Sequence, residues 1–379
     1  MRLEELDLDI PEGLIAQEPA EERDSCRLLH LRSDGGLGHH RFRELPSLLR
    51  PGDLMVFNDS RVLAARVRAR KITGGEVELL FVRRAEPRSA DRLRPGRAEG
   101  VVGEVWEALA RPSHRLRVGT VLLVGDEEVE LLESLGEGTW LLRGRPGKDM
   151  LSLMEEHGTM PLPPYIKTYP QDPSSYQTVY AAESGSAAAP TAGLHFTPGL
   201  LEALAGSGVS SAFVTLHVGL DTFQPIREAR GEDHQIHTEA YSVSSEALGA
   251  IAEARQARRR IIAVGTTATR VLETLASLGG PALGACARGL AADSSVAVSG
   301  STSIFITPGY RFRMVDALLT NFHLPHSSVL ALTMAFAGAD AIRSAYAEAV
   351  AQRYRFFSFG DAMLIDRPAG GLAPPRAGR

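Results

Sequence analysis

The chain has 379 residues, of which 44% are hydrophobic and 23% are charged, and its formal net charge is −5. This length exceeds the usual size of a single domain, so we expect two domains. No run of about eighteen consecutive apolar residues is present, and the chain opens with the acidic residues Glu4, Glu5, Asp7 and Asp9. These features exclude a membrane span or a secretory leader and predict a cytoplasmic protein.

Residues 62–146 are predicted to form short strands separated by Gly, Pro and charged turns, without a helical period between them. Such a series predicts a small antiparallel β-barrel inserted in the chain. Nine arginines stand against five acidic residues between Arg83 and Arg117, and residues 83–97 are predicted to form a long surface loop. The excess suits contact with nucleic acid, and it equally suits a solvated loop. The six predicted strands are 62–67, 76–82, 105–110, 120–124, 129–132 and 139–142.

After about residue 195 the pattern changes to strands that alternate with helices. This alternation predicts an α/β fold with a mainly parallel sheet layered with helices. We predict a discontinuous α/β domain (1–60 and 154–367), a barrel domain (61–153) and a disordered tail (368–379). The predicted helices begin at Thr197-Pro198 and span 245–259, 266–278 and 339–352, and the predicted strands are 209–218, 261–264, 296–306 and 356–365.

Four segments combine glycine, histidine and hydroxyl residues in patterns typical of ligand-binding loops. In the first, small residues around Gly193 allow backbone amides to approach a ligand, and His195 can exchange protons near neutral pH. A structural histidine beside a helix cap, Thr197, is the alternative. The four segments are 176–180 with 189–196, then 215–223, 265–270 and 319–327.

The second and third segments lie at predicted strand ends, where α/β proteins place reactive groups. His217 ends an apolar strand before a glycine turn. At the strand-to-helix junction from Gly265 to Arg270, free amides and hydroxyls suit an anion, and Arg270 can fork onto a carboxylate or phosphate. Ordinary capping by threonine explains the same residues.

Metal and hydrolase chemistry find little support in the sequence. His234 and His237, like His323 and His326, are three residues apart, but no cysteine accompanies them and neither pair lies in a predicted helix. We therefore expect no metal site. The two cysteines, Cys26 and Cys286, are far apart, which predicts a reducing compartment. A Gly-x-Ser-x-Gly elbow is missing, and the nucleotide-binding motifs are incomplete.

At these segments the chain resembles the S-adenosylmethionine:tRNA ribosyltransferase-isomerase family of queuosine biosynthesis. The resemblance covers most of the chain, and only the predicted barrel and the tail match poorly. Besides the four segments, the matching motifs are Leu14-Ile15-Ala16-Gln17, Arg23-Asp24, Arg27-Leu28-Leu29, Val56-Phe57-Asn58-Asp59-Ser60-Arg61-Val62, Met160-Pro161-Leu162-Pro163-Pro164-Tyr165-Ile166, Pro308-Gly309-Tyr310-Arg311-Phe312 and Phe359-Gly360-Asp361-Ala362-Met363-Leu364-Ile365.

The resemblance implies a reaction and its substrates. The ribosyl part of S-adenosylmethionine would be transferred to the aminomethyl group of 7-aminomethyl-7-deazaguanine at the wobble position of tRNA. Rearrangement would give an epoxycyclopentane (epoxyqueuosine), with release of adenine and methionine. The family fold is an α/β domain interrupted by a β-barrel. S-adenosylmethionine is then a donor substrate, no metal is expected, and the enzyme is expected to be a monomer.

The implied chemistry suggests roles for residues of this chain. A sulfonium acidifies its neighbouring carbons, so a positioned histidine or glutamate can remove a ribose proton, and the departing adenine needs a proton. The catalytic candidates are His195, His217, Glu239 and His323. Aromatic faces stabilise a sulfonium, and we hypothesise that the methionine carboxylate lies at the junction from Gly265 to Arg270. The substrate-binding candidates are Asn58, Asp59, Arg61, Tyr165, Tyr176, Tyr180, Thr191, Gly193, Phe196, Thr266, Thr267, Arg270, Tyr310 and Asn321; Phe223 is a further aromatic candidate.

Some positions depart from the family pattern. Ser301 and Ser303 stand where acidic residues are usual, Asp221 replaces a glycine, Ala268 replaces a serine, and Ile236-His237-Thr238-Glu239 replaces Met-His-Ser-Glu. A paralogue with a changed acceptor, such as a small amine or a free 7-deazapurine, is therefore an alternative. A non-catalytic RNA-binding protein is a second alternative, but it gives no reason for the segments rich in glycine and histidine.

Overall fold

The computed structural model describes residues 1, 3–85, 104–145, 147, 149–219, 236, 238–278 and 296–368. The chain divides into two compact units. The first unit comprises Met1–Arg61, Pro164–Glu183 and Ala189–Arg379, and the second comprises Val62–Pro163 and Ser184–Ala188. None of the helices that the structure describes is long and apolar enough to cross a membrane.

The elements of both units are numbered along the chain. The strands are β1 (Arg27–Leu31), β2 (Leu37–Arg41), β3 (Leu54–Asn58), β4 (Ser60–Val62), β5 (Arg66–Lys71), β6 (Glu76–Arg84), β7 (Val105–Arg111), β8 (Val121–Val124), β9 (Glu127–Gly136), β10 (Thr139–Gly144), β11 (Gly158–Thr159), β12 (Glu183–Ser186), β13 (Ser210–Leu216), β14 (Glu239–Ser244), β15 (Ile261–Val264), β16 (Val296–Thr302), β17 (Ala317–Asn321) and β18 (Ala362–Asp366). The helices are α1 (Leu45–Leu48), α2 (Met150–His157), α3 (Pro198–Gly206), α4 (Ser245–Gln256), α5 (Gly265–Ser277), α6 (Ser328–Ala337) and α7 (Ala339–Ala351).

The first unit is built on a nine-stranded sheet in the order β16-β14-β13-β3-β15-β17-β18-β1-β2. The four neighbours β13, β3, β15 and β17 are mutually parallel, and β1 is parallel to β18, whereas the other four pairings are antiparallel. The sheet is therefore mixed, and the prediction of a mainly parallel sheet is not confirmed. Parallel pairing needs a long crossover connection, whereas β1 and β2 are joined by the short turn of residues 32–36.

The parallel strands form the buried centre of the first unit. All residues of β3, β15 and β17 are buried, as expected for strands covered on both faces. Helix α5 begins directly at the end of β15 and contacts β3, β13, β15 and β17. Because these four strands are parallel, their carboxyl ends meet at one edge of the sheet, which we call the C-terminal edge.

The second unit contains a closed six-stranded antiparallel barrel, as the sequence predicts. Its strand order is β5-β6-β7-β10-β9-β8, and pairing between β5 and β8 closes it. The first predicted strand, 62–67, lies too early in the sequence, because the barrel strand is Arg66–Lys71. There Val67 and Ala69 point into the apolar core and alternate with basic residues.

The predicted arginine-rich loop and the predicted tail fall largely outside the described residues. Of the nine arginines, Arg83 lies in β6 and pairs with Glu107 of β7 at 2.9 Å. Arg84 pairs with Glu104 at 3.0 Å. These two arginines are therefore neutralised by neighbouring carboxylates. Several residues named in the sequence analysis also lie outside the described residues: Asp221, Phe223, His234, His237 and Cys286.

Candidate active site

The C-terminal edge brings together residues from several of the predicted segments. Asn58 ends β3, His217 follows β13, and Asn321 ends β17. The side chain of Asn58 bonds both backbone groups of Leu216, with its Nδ2 donating to the carbonyl and its Oδ1 accepting from the amide, each at 3.0 Å. This buried amide continues the pairing of β3 with β13 and fixes the position at which His217 leaves the sheet.

Asp59 lies beside the end of β13. Its carboxylate accepts a 2.8 Å hydrogen bond from the hydroxyl of Thr215. Burial raises the pKa of Asp59 above its ordinary value, opposed by the Thr215 hydrogen bond, and the charge of Glu183 raises it further. Two carboxyl groups therefore lie close enough to interact at this edge. Arg61, by contrast, is exposed.

His217 is a partly buried imidazole whose Nδ1 has no partner in the described part of the chain. Its backbone amide donates to the carbonyl of Ala240 at 3.0 Å, while its Nδ1 is buried and has no hydrogen-bond partner among the described residues. Burial lowers the pKa of His217, and the charge of Glu183 partly opposes this effect. The ring is thus neutral near pH 7 and retains a nitrogen able to accept a proton.

Glu239 and Arg270 form a buried ion pair next to this position. Glu239 also accepts a 2.9 Å hydrogen bond from the amide of Gly219. Arg270 donates to the carbonyls of Ile304, at 3.3 Å, and Thr302, at 3.5 Å. The sequence predicts that the Arg270 guanidinium binds an anion of the substrate, but Glu239 already occupies this guanidinium.

His195 has both ring nitrogens engaged. Nδ1 lies 3.1 Å from Cys26 Sγ, and Nε2 lies 3.0 Å from Asn321 Nδ2. Because the Asn321 amide donates to Nε2, the ring proton belongs on Nδ1. Burial, reinforced by the charges of Arg23 and Arg355, lowers the pKa of His195 to about 4. Burial likewise raises the pKa of the Cys26 thiol, so both groups are neutral.

His323 is also engaged within the protein. Its Nε2 lies 2.8 Å from the hydroxyl of Thr320, and burial lowers its pKa to about 3. His326, its neighbour in the sequence, pairs instead with Asp7. Within the described ranges, no group of three or more His, Cys, Asp or Glu side chains is placed to hold a metal ion.

A short 3-10 helix, Thr191–His195, packs against the start of α5. A Cβ atom added at Gly193 would lie 2.0 Å from the hydroxyl oxygen of Tyr180, so only glycine fits there. Thr266 and Thr267, in the first turn of α5, are each only 8% exposed. These residues of the first and third predicted segments therefore lie against one another.

The aromatic candidates for sulfonium binding pack against other parts of the protein. Phe196 is fully buried and stacks edge-on against Phe57, which also contacts the ring of Tyr180. Tyr176 is fully buried as well. The hydroxyl of Tyr165 lies 2.6 Å from that of Ser358, and burial raises its pKa to about 12. None of these rings presents a freely exposed face to a ligand.

Tyr310 lies away from the C-terminal edge. Its hydroxyl donates to Glu273 at 3.1 Å. The same fully buried carboxylate accepts from the amides of Met314 and Val315, which precede β17. Tyr310 therefore lies at the opposite end of this strand from Asn321.

A cavity of about 580 Å³ opens beside His195 in the first unit. Arg23 lines it and holds two parts of its wall by donating hydrogen bonds to the carbonyls of Gln177 at 2.6 Å and Ser174 at 2.8 Å. The sequence alone does not predict Cys26 and Glu183 as neighbours of the candidate histidines, because no local motif marks either residue. The cavity is lined by Glu18, Pro19, Ala20, Glu21, Arg23, Thr168, Tyr169, Pro170, Gln171, Asp172, Ser175, Leu194, His195, Ser358, Phe359 and Gly360.

The departures from the family pattern have different surroundings. Ser301 and Ser303 are exposed on either side of the buried Thr302, at the end of β16. Ala268 is fully buried within α5. Any acidic side chain at the two serine positions would therefore point to the surface of the strand.

Comparisons with known proteins identify the family. A protein from Rubrobacter xylanophilus named S-adenosylmethionine:tRNA ribosyltransferase-isomerase is 49% identical over 96% of this chain and 98% of its own length. One of the same name from Moorella thermoacetica is 45% identical over 96% of this chain and its whole length. The crystal structure of S-adenosylmethionine tRNA ribosyltransferase from Thermotoga maritima matches 95% of this chain and 99% of its own, with 37% identity and a TM-score of 0.51. The sequence profile described as "Queuosine biosynthesis protein" matches residues 3–365, so the chain belongs to that family.

Proposed function

We propose that this protein transfers the ribosyl moiety of S-adenosylmethionine to the aminomethyl group of 7-aminomethyl-7-deazaguanine in tRNA and isomerises it to epoxyqueuosine. Adenine and methionine are the other products. Family membership and relatives of this name at 43–49% identity support this reaction. We further propose that the protein acts as a monomer in the cytoplasm.

The Nδ1 of His217, which has no partner among the described residues, is the observation that supports the chemical step best. A sulfonium makes the adjacent ribose carbon acidic, and a neutral imidazole can take the proton that leaves it. The electron pair left on carbon drives opening of the ribose ring and expulsion of adenine. The proton held by His217 is then available to the departing adenine, so the acid-base steps balance.

The other catalytic candidates are better suited to positioning. Both ring nitrogens of His195 have partners in the protein, and Nε2 of His323 is bonded to Thr320. Glu239 holds the amide of Gly219 two residues after His217. We propose that Glu239, paired with Arg270, fixes the segment that carries His217.

The acceptor amine must be neutral when it attacks. Asp59 and Glu183 are the carboxyl groups that interact with each other and, in the case of Glu183, with His217. We propose that this pair attracts the protonated amine and that Asp59 accepts its proton, because a carboxylate with a raised pKa is a stronger base. Asn58 then acts on the site by holding the end of β13.

The decisive experiment incubates the full-length protein with S-adenosylmethionine and tRNA that carries the precursor base. Adenine release is measured by chromatography, and the tRNA nucleosides are measured by mass spectrometry. We expect one adenine released for each epoxyqueuosine formed, and none with tRNA that carries guanine at the wobble position. Turnover with the free base but not with tRNA contradicts the proposal and favours a small-molecule acceptor. Binding of tRNA without any turnover favours a non-catalytic RNA-binding protein.

A further inference from the structure

The first turn of α5 begins inside the protein without a capping side chain. Its first residues, from Gly265 to Thr269, are all buried, and the preceding Val264 has no side-chain group that could accept a hydrogen bond. Gly265 has φ +86°, which lets the chain pass directly from β15 into the helix. The first amides of any helix lack partners within the helix, and leaving them buried without an acceptor is unfavourable.

Thr267 adds a second donor without a partner at this point. It is 8% exposed, and its hydroxyl has no hydrogen-bond partner among the described residues. That oxygen lies 3.7 Å from the position of a Cβ added at Gly265, beside the first turn. Thr269 of the same helix differs, because its hydroxyl donates to the Gly265 carbonyl at 3.0 Å.

A further hydroxyl that has no partner in the described part of the chain lies near the start of α5. Ala192 packs against Gly265, with its Cβ 3.6 Å from an added glycine Cβ. The next residue, Gly193, lies against the hydroxyl of Tyr180, which is also buried without a partner in the described chain. Buried polar groups are nearly always hydrogen-bonded in proteins. The hydroxyls of Thr267 and Tyr180, both without partners among the described residues, therefore indicate a ligand at this segment.

We propose that the first turn of α5 and the Thr267 hydroxyl bind the carboxylate of the methionine part of S-adenosylmethionine. This inference rests on the proposed function. The positive end of the helix dipole and the free amides favour an oxyanion, and the carboxylate is the donor's one anionic group. A tRNA phosphate offers the same oxygen chemistry, but the burial of the turn favours a group on the small molecule.

The proposal replaces the arginine that the sequence offered for this role. Arg270 is already paired with the buried Glu239 and bonded to two carbonyls. A carboxylate from the donor would have to displace Glu239 to use it. By contrast, the Thr267 hydroxyl has no hydrogen-bond partner among the described residues, and Val264 supplies no side-chain cap to the first turn.

The test compares two donors on the full-length protein by isothermal titration calorimetry. One is S-adenosylmethionine, and the other is its decarboxylated analogue, which keeps the sulfonium and the nucleoside. The variants are Thr267→Val, which removes the hydroxyl while keeping the shape, and Thr267→Ser, which restores a hydroxyl. Thr269→Val is the matched control, because it removes a buried hydroxyl from the same helix.

We expect Thr267→Val to weaken binding of S-adenosylmethionine about 10- to 100-fold, the usual effect of losing one hydrogen bond to a charged group. Binding of the decarboxylated donor should not change, and Thr267→Ser should bind both donors as the wild type does. Thr269→Val should leave the preference for the carboxylate intact, which separates loss of the site from general damage to the helix.

Three outcomes overturn the inference. They are equal binding of both donors by the wild type, an equal loss for both donors in Thr267→Val, and a rise in the KM for tRNA with donor binding unchanged. The last outcome would assign the oxyanion to RNA. Failure of the proposed function is a separate result, because it appears as wild-type protein that forms no epoxyqueuosine whatever its donor affinity.

Discussion

His195 and His217 lie at the same edge of the sheet, and their surroundings differ in one decisive respect. Burial lowers the pKa of both side chains, so each ring is neutral near pH 7. His195 is held by Cys26 on one nitrogen and by Asn321 on the other. His217 keeps Nδ1 without a partner among the residues that the structure describes. Burial therefore decides the charge of a histidine, whereas its hydrogen bonds decide whether it is available for proton transfer.

Replacing His217 is expected to have the largest effect. His217→Gln removes the one nitrogen that we propose as the base, and general acid-base catalysis typically contributes about 10²- to 10⁴-fold to rate. We expect the rate of adenine release to fall by that factor, with the affinity for S-adenosylmethionine little changed. The measurement is single-turnover adenine release together with donor binding by calorimetry.

His195→Gln is the matched variant for this comparison, because it also removes a neutral imidazole from the same edge. We expect its rate of adenine release to fall less than that of His217→Gln, since both ring nitrogens of His195 are engaged within the protein. A folded His195→Gln protein that loses as much activity as His217→Gln, or more, would reverse the assignment of the two histidines.

The ion pair of Glu239 and Arg270 supplies the next largest effect. The two side chains are only 7% and 13% exposed. Arg270→Met leaves the carboxylate buried and uncompensated, which typically costs about 3–5 kcal/mol. We expect the free energy of unfolding of the full chain to fall by that amount in urea denaturation.

Two further variants separate charge from packing at this pair. Arg270→Lys keeps the charge and should lose less stability than Arg270→Met. The double variant Glu239→Gln/Arg270→Met should recover part of the loss, because no buried charge remains. Equal stability of Arg270→Met and the wild type would mean that the pair does not fix the His217 segment.

The barrel and the helices could largely be predicted from sequence, because local periodicity determines them. Helix α5 begins and ends within a residue of its predicted bounds. The direction of the sheet pairings could not be predicted from the sequence, since the alternation of strands and helices does not specify which strands become neighbours. β18, for example, lies between β17 and β1, antiparallel to one and parallel to the other.

For the candidate site, the sequence names residues that the fold brings to one edge, but it does not predict their contacts. The four segments named His217, Thr267 and Asn321, which do meet the C-terminal edge. The sequence does not predict the pairing of Arg270 with Glu239, because the two residues are 31 positions apart and no local pattern links them. Tyr310 was named from a motif, and its bond to Glu273 depends on the packing of α5 against the turn before β17.

The last prediction concerns pH and again separates the two histidines. The pKa of His195 falls from 6.5 to about 4 on folding, so between these values the unfolded chain binds a proton that the folded chain does not. The stability that this difference contributes is therefore full above pH 6.5, declines as the pH falls and is lost near pH 4. A shift of this size corresponds to roughly 3 kcal/mol. We expect the free energy of unfolding of His195→Gln, measured by urea denaturation, to decrease less between pH 6.5 and 4 than that of the wild type.

His217→Gln should reduce this decrease less, because the charge of Glu183 supports the protonated form of His217. If His217→Gln instead flattens the curve as much as His195→Gln, then the surroundings of the two rings are equally apolar, and the contrast between them reduces to hydrogen bonding alone.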